Sequence, residues 1–157
     1  MARRYWLMKS EPDVFSFDDL VRAPKGTTCW DGVRNFQARN FLRDEVGVGD
    51  GVLFYHSGAD GKAVVGTAEV VKGGHPDPTQ FDPRSGHHDP GSRKDDPRWY
   101  AVDIRAAERF ARPVSLEEMR SVAGLGKMRL LQRGQRLSVL PVTAAEWKIV
   151  VKLGKGV

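Results

Sequence analysis

Trp30 stands in the stretch TTCWDGVRNFQARNFLR, residues 27–43, followed at once by Asp31, Gly32 and Val33 and then by Arg34 and Asn35. An indole offers a flat face, Gly32 lets backbone come close to a guest, and Arg34 and Asn35 supply donors beside the start of a helix. A π-face with fixed donors is what an unstacked nucleobase needs. Stacking is worth about 1–3 kcal/mol per base, and hydrogen bonds to the edge choose which base. Tyr55 beside His56 and Ser57, and Trp99 beside Arg98, repeat the pairing of an aromatic ring with polar neighbours. An isolated tryptophan also serves as a core anchor, and residue types alone leave both readings of Trp30 open.

Other chemistries find less support. His75, His87, His88, Asp82 and Asp89 crowd together, but their spacing matches no zinc pattern and a proline-rich loop supplies little rigidity. No metal or other cofactor is expected. Cys29 and the His56-Ser57 pair could suggest nucleophilic catalysis, yet adjacent strand residues face opposite ways and no serine sits in a GxSxG elbow. The glycine-rich run at 47–51 follows a helix, whereas a phosphate cradle precedes one. No catalytic residue is assigned.

The elements that must position these residues follow from local patterns. Residues 4–9 alternate as a strand, and Ser16 with Asp19 forms a capping box before a short helix through Leu20 and Val21. Asn35 is a good N-cap for a helix to about Glu45, whose Ala38, Phe41, Leu42 and Val46 share one face. Residues 51–56 and 63–71 read as a hairpin joined by Ser57 to Lys62. A further strand starts near Trp99 and continues past Phe110, with a break at Ala106-Ala107. Capping boxes at Ser115/Glu118 and Thr143/Glu146 precede two more short helices. Residues 137–142 form a last strand, which Pro141 confines to an edge or end. Residues 73–97 hold five of the nine prolines and three of the four histidines without apolar periodicity, and are expected to form an ordered loop wrapping the sheet.

Mixed elements with strands in the middle predict an α+β fold around a curved or barrel-like sheet. A length of 157 residues suits a single domain over 1–157 with a core that needs no disulfide. The single cysteine, read as buried and inert, fits a reducing compartment. The apolar run Tyr5 to Met8 is too short for a signal peptide or membrane helix. A cytoplasmic monomer is expected, or a nuclear one in a eukaryote, with no membrane partner. Net charge is +5, but residues 120–157 carry eight Lys/Arg against Glu146 alone. That segregation points to a polyanionic partner, and Arg129, Arg133 and Arg136, with Arg39 on the second helix, are the candidate phosphate-binding residues.

Several blocks together carry a resemblance: YWLMKSEPDVFSFDDL, TTCWDGVRNFQARNFLR, VLFYHS, HPDPTQFDPRSGHHDP, DDPRWYAVDI and QRLSVLPVTAAEW. Nearly end to end, the chain resembles the EVE domain family, which includes the thymocyte nuclear proteins. The resemblance implies a PUA-like mixed β-barrel with flanking short helices, related to the YTH and ASCH domains. It further implies a non-catalytic reader of DNA or RNA that takes one modified base, such as a 5-substituted cytosine, into an aromatic pocket.

Carried over to this chain, Trp30 would be the stacking wall. Lys9, Ser10 and Glu11, with Asp31 to Asn35, would face the base edge. Tyr55, His56 and Ser57 would line the adjacent strand end, and Phe81 and Trp99 would close the pocket. Many relatives have a tyrosine where this chain has His88, which puts the base preference in doubt. Two alternatives remain. One is a hydrolase acting on a modified cytidine, with Lys9 and Glu11 as base and acid; the other is an RNA-binding module in RNA modification or decay.

Overall fold

The computed structural model describes residues 3–59 and 61–156. At its centre lie β1 (Tyr5–Ser10) and β3 (Gly51–His56), paired in parallel from Tyr5 opposite Gly51 to Ser10 opposite His56. Strands covered on both faces read as continuous apolar runs, and Trp6-Leu7-Met8 and Val52-Leu53-Phe54-Tyr55 are all buried. On one side β1 pairs antiparallel with β6 (Val139–Val142). On the other, β3 pairs with β4 (Ala63–Pro76), β4 with β5 (Tyr100–Ser115), and β5 with β2 (Thr27–Trp30). The expected mixed sheet with short helices is present, and its ladder is open, with order β2-β5-β4-β3-β1-β6.

Four helices flank the sheet: α1 (Phe17–Arg22), α2 (Phe36–Asp44), α3 (Leu116–Arg120) and α4 (Ala144–Gly154). Ser16 and Thr143 close reciprocal capping boxes with Asp19 and Glu146, and Asn35 accepts from the Ala38 amide. Ser115 caps α3 from one side only, since the Glu118 carboxylate pairs with Arg112 instead of reaching back. α2 and α4 both pack against β4 and β5.

Three features depart from the sequence expectation. β2, an edge strand of four residues leading into the Asp31-Gly32 turn, was not assigned from the sequence, because its pairing with β5 is nonlocal. β5 runs unbroken through Ala106-Ala107; the ladder slips there, with Thr67 opposite Glu108 but Ala68 opposite Ala106. A β-bulge absorbs what reads locally as a break. β4 continues to Pro76, so the connecting segment is shorter than expected. It is ordered around buried Gln80, whose amide donates to Asp77 O and Trp99 O and accepts from Ser92 Oγ and Trp99 N. The β3–β4 connection is the expected hairpin, although Asp60 within it lies outside the described residues.

Asp50 ties the turn before β3 to the start of β1. Its buried carboxylate accepts from Arg4 N (3.1 Å), Trp6 Nε1 (2.9 Å) and Gly47 N (2.9 Å). Removing it strands donors that cost about 1–3 kcal/mol each when buried. Asp50→Ala is therefore expected to lower the unfolding free energy by about 3 kcal/mol in urea titration, and Asp50→Asn, which keeps one acceptor, by less.

Candidate functional site

Three segments converge beside Trp30. The end of β1 brings Lys9, Ser10 and Glu11. The end of β2 and the turn after it bring Thr28 to Arg34, and His87 reaches over from the 77–99 segment. With Val14, Phe15 and Ser138 these residues enclose a cavity of about 520 Å³, within the roughly 300–1,000 Å³ usual for small-ligand sites.

Both readings of Trp30 hold at once. The residue is only 8% exposed and packs edge-on against Phe54 (5.5 Å between centroids) and Phe15 (6.3 Å). It nevertheless lines the cavity, so the wall is a core side chain held in one orientation by its neighbours. Lys9, half buried on the same wall, has its pKa lowered by burial first and by Lys62 second. The Ser10 hydroxyl donates to Phe15 O, which fixes the turn that carries Phe15 against the indole.

The turn after Trp30 is held from across the cavity. Gly32 has φ +80°, the left-handed region that favours glycine, and its N–H donates to Asp77 Oδ2 at 2.7 Å. The His87 ring lies directly over it, 2.6 Å from where a Cβ would stand. Arg34 completes the clamp: Nη1 donates to Asp77 Oδ2 (3.0 Å), and Nη2 to His87 O (2.6 Å) and Thr79 Oγ1 (3.2 Å). Asp77 is fully buried. Burial alone would raise its pKa, but donors from Thr79, Gly32 and Arg34 outweigh burial and lower it.

Asp31 differs. It stands exposed at the cavity rim, and no side-chain hydrogen bond or ion pair engages its carboxylate among the described residues. Its pKa is raised, first by desolvation and then by the Asp77 charge, against the opposing pull of His87 and Arg34. A carboxyl so placed is an open acceptor, suited to an amino group on a guest.

Of the residues expected at a base pocket, Lys9, Ser10, Glu11 and Trp30 through Arg34 come together. Arg34 is present as the clamp, with its donors directed at protein. Asn35 turns outward as the cap of α2. Tyr55 is a core residue, and His56 accepts from Phe17 N (3.1 Å) and lines a separate cavity by the β3–β4 hairpin. Ser57 donates its N–H to Ser10 O but does not line the Trp30 cavity. Phe81 lies under Lys94. Trp99 donates to Asp89 Oδ2 (2.7 Å), stacks on Phe36 (4.8 Å) and has the Arg34 guanidinium over its ring, so it backs the clamp from outside. Adjacent strand residues point to opposite faces, which separates Tyr55 from His56.

Sequence reasoning missed Thr28, Cys29, Val14, Phe15, His87 and Ser138 as cavity residues. Only pairing of β2 with β5 could have found the first two. His88, where the departure from relatives falls, does not line the cavity; His87 does. Among the phosphate candidates, Arg129, Arg133 and Arg136 are exposed and make no ion pair among the described residues. Arg136 is two positions before cavity-lining Ser138. Arg39 instead donates to Arg98 O and covers the Phe36 ring. No helix among the described residues is long and apolar enough to cross a membrane.

Comparison with known proteins identifies the family. A model of the EVE domain matches residues 4–153. Thymocyte nuclear protein 1 of Mus musculus is 42% identical over 95% of this chain and 73% of its own length. A crystal structure of a Pseudomonas syringae protein superposes with a TM-score of 0.90 at 44% identity, covering 96% of this chain and 99% of that one. The crystal structure of human thymocyte nuclear protein 1 in complex with DNA containing 5-methylcytosine superposes with a TM-score of 0.90 at 40% identity, covering 97% and 98%. A family match across most of the length, with relatives at 40% identity or more over nearly all of it, means that the chain belongs to the EVE domain family.

Proposed function

We propose that this chain acts as one monomeric domain that reads a modified base in nucleic acid, binding it without catalysis. The observation that carries the reading is the cavity beside Trp30, walled by a fixed indole and rimmed by the uncommitted carboxylate of Asp31. A related protein of the same fold is known bound to DNA containing 5-methylcytosine. Cytosine presents an exocyclic amino donor beside a ring acceptor, which matches an open carboxyl better than the edge of thymine does.

A base in duplex DNA must be extruded at a cost of a few kcal/mol, while a single strand avoids that cost. Stacking on Trp30, contacts to Asp31 and phosphate contacts would offset it. The exposed Arg129, Arg133 and Arg136 would hold the backbone and position the strand without reading it. A buried methyl is worth about 0.8 kcal/mol, so a 5-methyl group should change affinity only about fourfold.

Those magnitudes set the decisive measurement. Titrating short oligonucleotides that differ only at one cytosine is expected to give about fourfold tighter binding of the 5-methylated strand, with the single strand bound more tightly than the duplex. Asp31→Ala should weaken both by about tenfold while leaving the melting temperature unchanged; equal affinity for thymine in that position would remove the base-reading role. Running the panel on RNA and DNA strands of one sequence separates the two polymers. Salt titration tests the phosphate role: the slope of log affinity against log salt should become shallower by about one unit for Arg129→Ala or Arg136→Ala.

Lys9 favours a second reading, hydrolysis of a modified cytidine, because a lysine of lowered pKa beside Glu11 in the cavity could act as a base. Incubation with modified cytidine nucleosides would then release product, and Lys9→Met would stop it. Intact nucleosides are the outcome expected of a reader.

A further inference from the structure

Cys29 and Asp103 stand directly opposite one another on β2 and β5. Lys72 of β4 is opposite Asp103, and a regular ladder would then place His75 opposite Tyr100, on the other face of the sheet. The register slips between Lys72 and His75, across Gly73 and Gly74, so that His75 falls opposite Ala101 and joins the face of Asp103. A bulge thus re-aims one imidazole. Cys29, His75 and Asp103 each bring a ligand atom to within 4.8 Å of the others.

The hydrogen bonding of His75 is incomplete for a neutral ring. Its Nδ1 faces Pro76 O at 3.3 Å and its Nε2 faces Asp103 Oδ1 at 3.0 Å. A neutral imidazole has one N–H, so it cannot satisfy two oxygen acceptors at once. Among the described residues Asp103 has no Lys or Arg within ion-pair distance; Lys72, its ladder neighbour, makes no pair with it, and His75 is its one ion-pair partner. A cation on Nε2 would leave Nδ1–H to donate to Pro76 O, and the thiol of Cys29 lies beside it.

We propose that Cys29 Sγ, His75 Nε2 and Asp103 Oδ1 form a binding site for a divalent cation of the zinc type. Nδ1–H donating to Pro76 O is the outer contact that fixes a ligating imidazole in the correct tautomer. Sulfur, nitrogen and oxygen donors suit this borderline-soft ion, and three protein ligands leave a fourth tetrahedral position to water. Bonds of about 2.0–2.3 Å set ligand atoms roughly 3.3–3.7 Å apart. The side chains of His75 and Asp103 are 19% and 26% exposed, enough for an ion to enter. Binding replaces the thiol S–H bond with a sulfur–metal bond, and the proton passes to solvent. Without metal, burial and the charges of Asp103, Asp31 and Asp77 push the thiol up to about 12. Those same carboxylates attract a cation.

Cobalt(II) added to chelator-stripped protein is the probe. One equivalent is expected to bind with a sulfur-to-cobalt charge-transfer band in the near ultraviolet, displaced by zinc, and affinity should rise about tenfold per pH unit as one proton is released. Cys29→Ser should abolish the band, and His75→Gln should weaken binding at least tenfold. Absence of the band in the unaltered protein, or a band that survives Cys29→Ser, would overturn the site. If Cys29→Ser fails to fold by circular dichroism, the decision passes to His75→Gln, where unchanged cobalt affinity overturns the proposal.

Discussion

Asp77 has no exposed surface, and an ionised carboxylate out of water is tolerable only where donors replace its hydration. The amide and hydroxyl of Thr79, the amide of Gly32 and the guanidinium of Arg34 do so. Two of those groups belong to the turn after Trp30, and Thr79 belongs to the segment between β4 and β5. One buried anion therefore joins two parts of the chain that are distant in sequence, and the cavity is the space left between them. The same charge raises the pKa of Asp31 and of the Cys29 thiol, so the clamp also sets the negative character of the site.

Trp30 carries a second coupling. Its edge-on contacts with Phe54 and Phe15 make it part of the core, while the residue lines the cavity. Phe54 lies on β3, one of the two strands buried on both faces. The wall presented to a guest is thus anchored in a buried part of the sheet, and a guest meets a surface that is already packed. Truncating this indole to alanine would cost about 3–5 kcal/mol of stability as well as the wall, which is why the rim residue Asp31 is the cleaner probe.

Much of the architecture was legible because it is local. Ser16, Asn35 and Thr143 announce their helices through caps, and the apolar run of β3 declares a buried strand with its observed bounds. What depended on nonlocal pairing was not legible. TTCW goes unassigned until β5 is beside it, and the break expected at Ala106-Ala107 is a slip in a ladder that only β4 defines. In the site, the residues from Lys9 to Glu11 and Trp30 to Arg34 were found by type and resemblance. Tyr55, His56, Ser57, Phe81 and Trp99 were grouped with them on the same grounds, and the pleat and the clamp direct them elsewhere. His75 among the histidines was considered for metal only with loop neighbours, since its partners across the sheet are invisible to spacing.

Parallel neighbours such as β1 and β3 cannot be joined by a tight turn. Here the connection, residues 11–50, travels to the opposite edge of the sheet to lay down β2 before it returns. Trp30 finds its ladder partner only in Val102. On a ribosome the N-terminal third therefore emerges with its indole and the rest of β2 unpaired, and must wait for most of the remaining chain before the cavity can exist. The recognition surface is a product of late docking, and translation order makes its wall the segment longest without a partner.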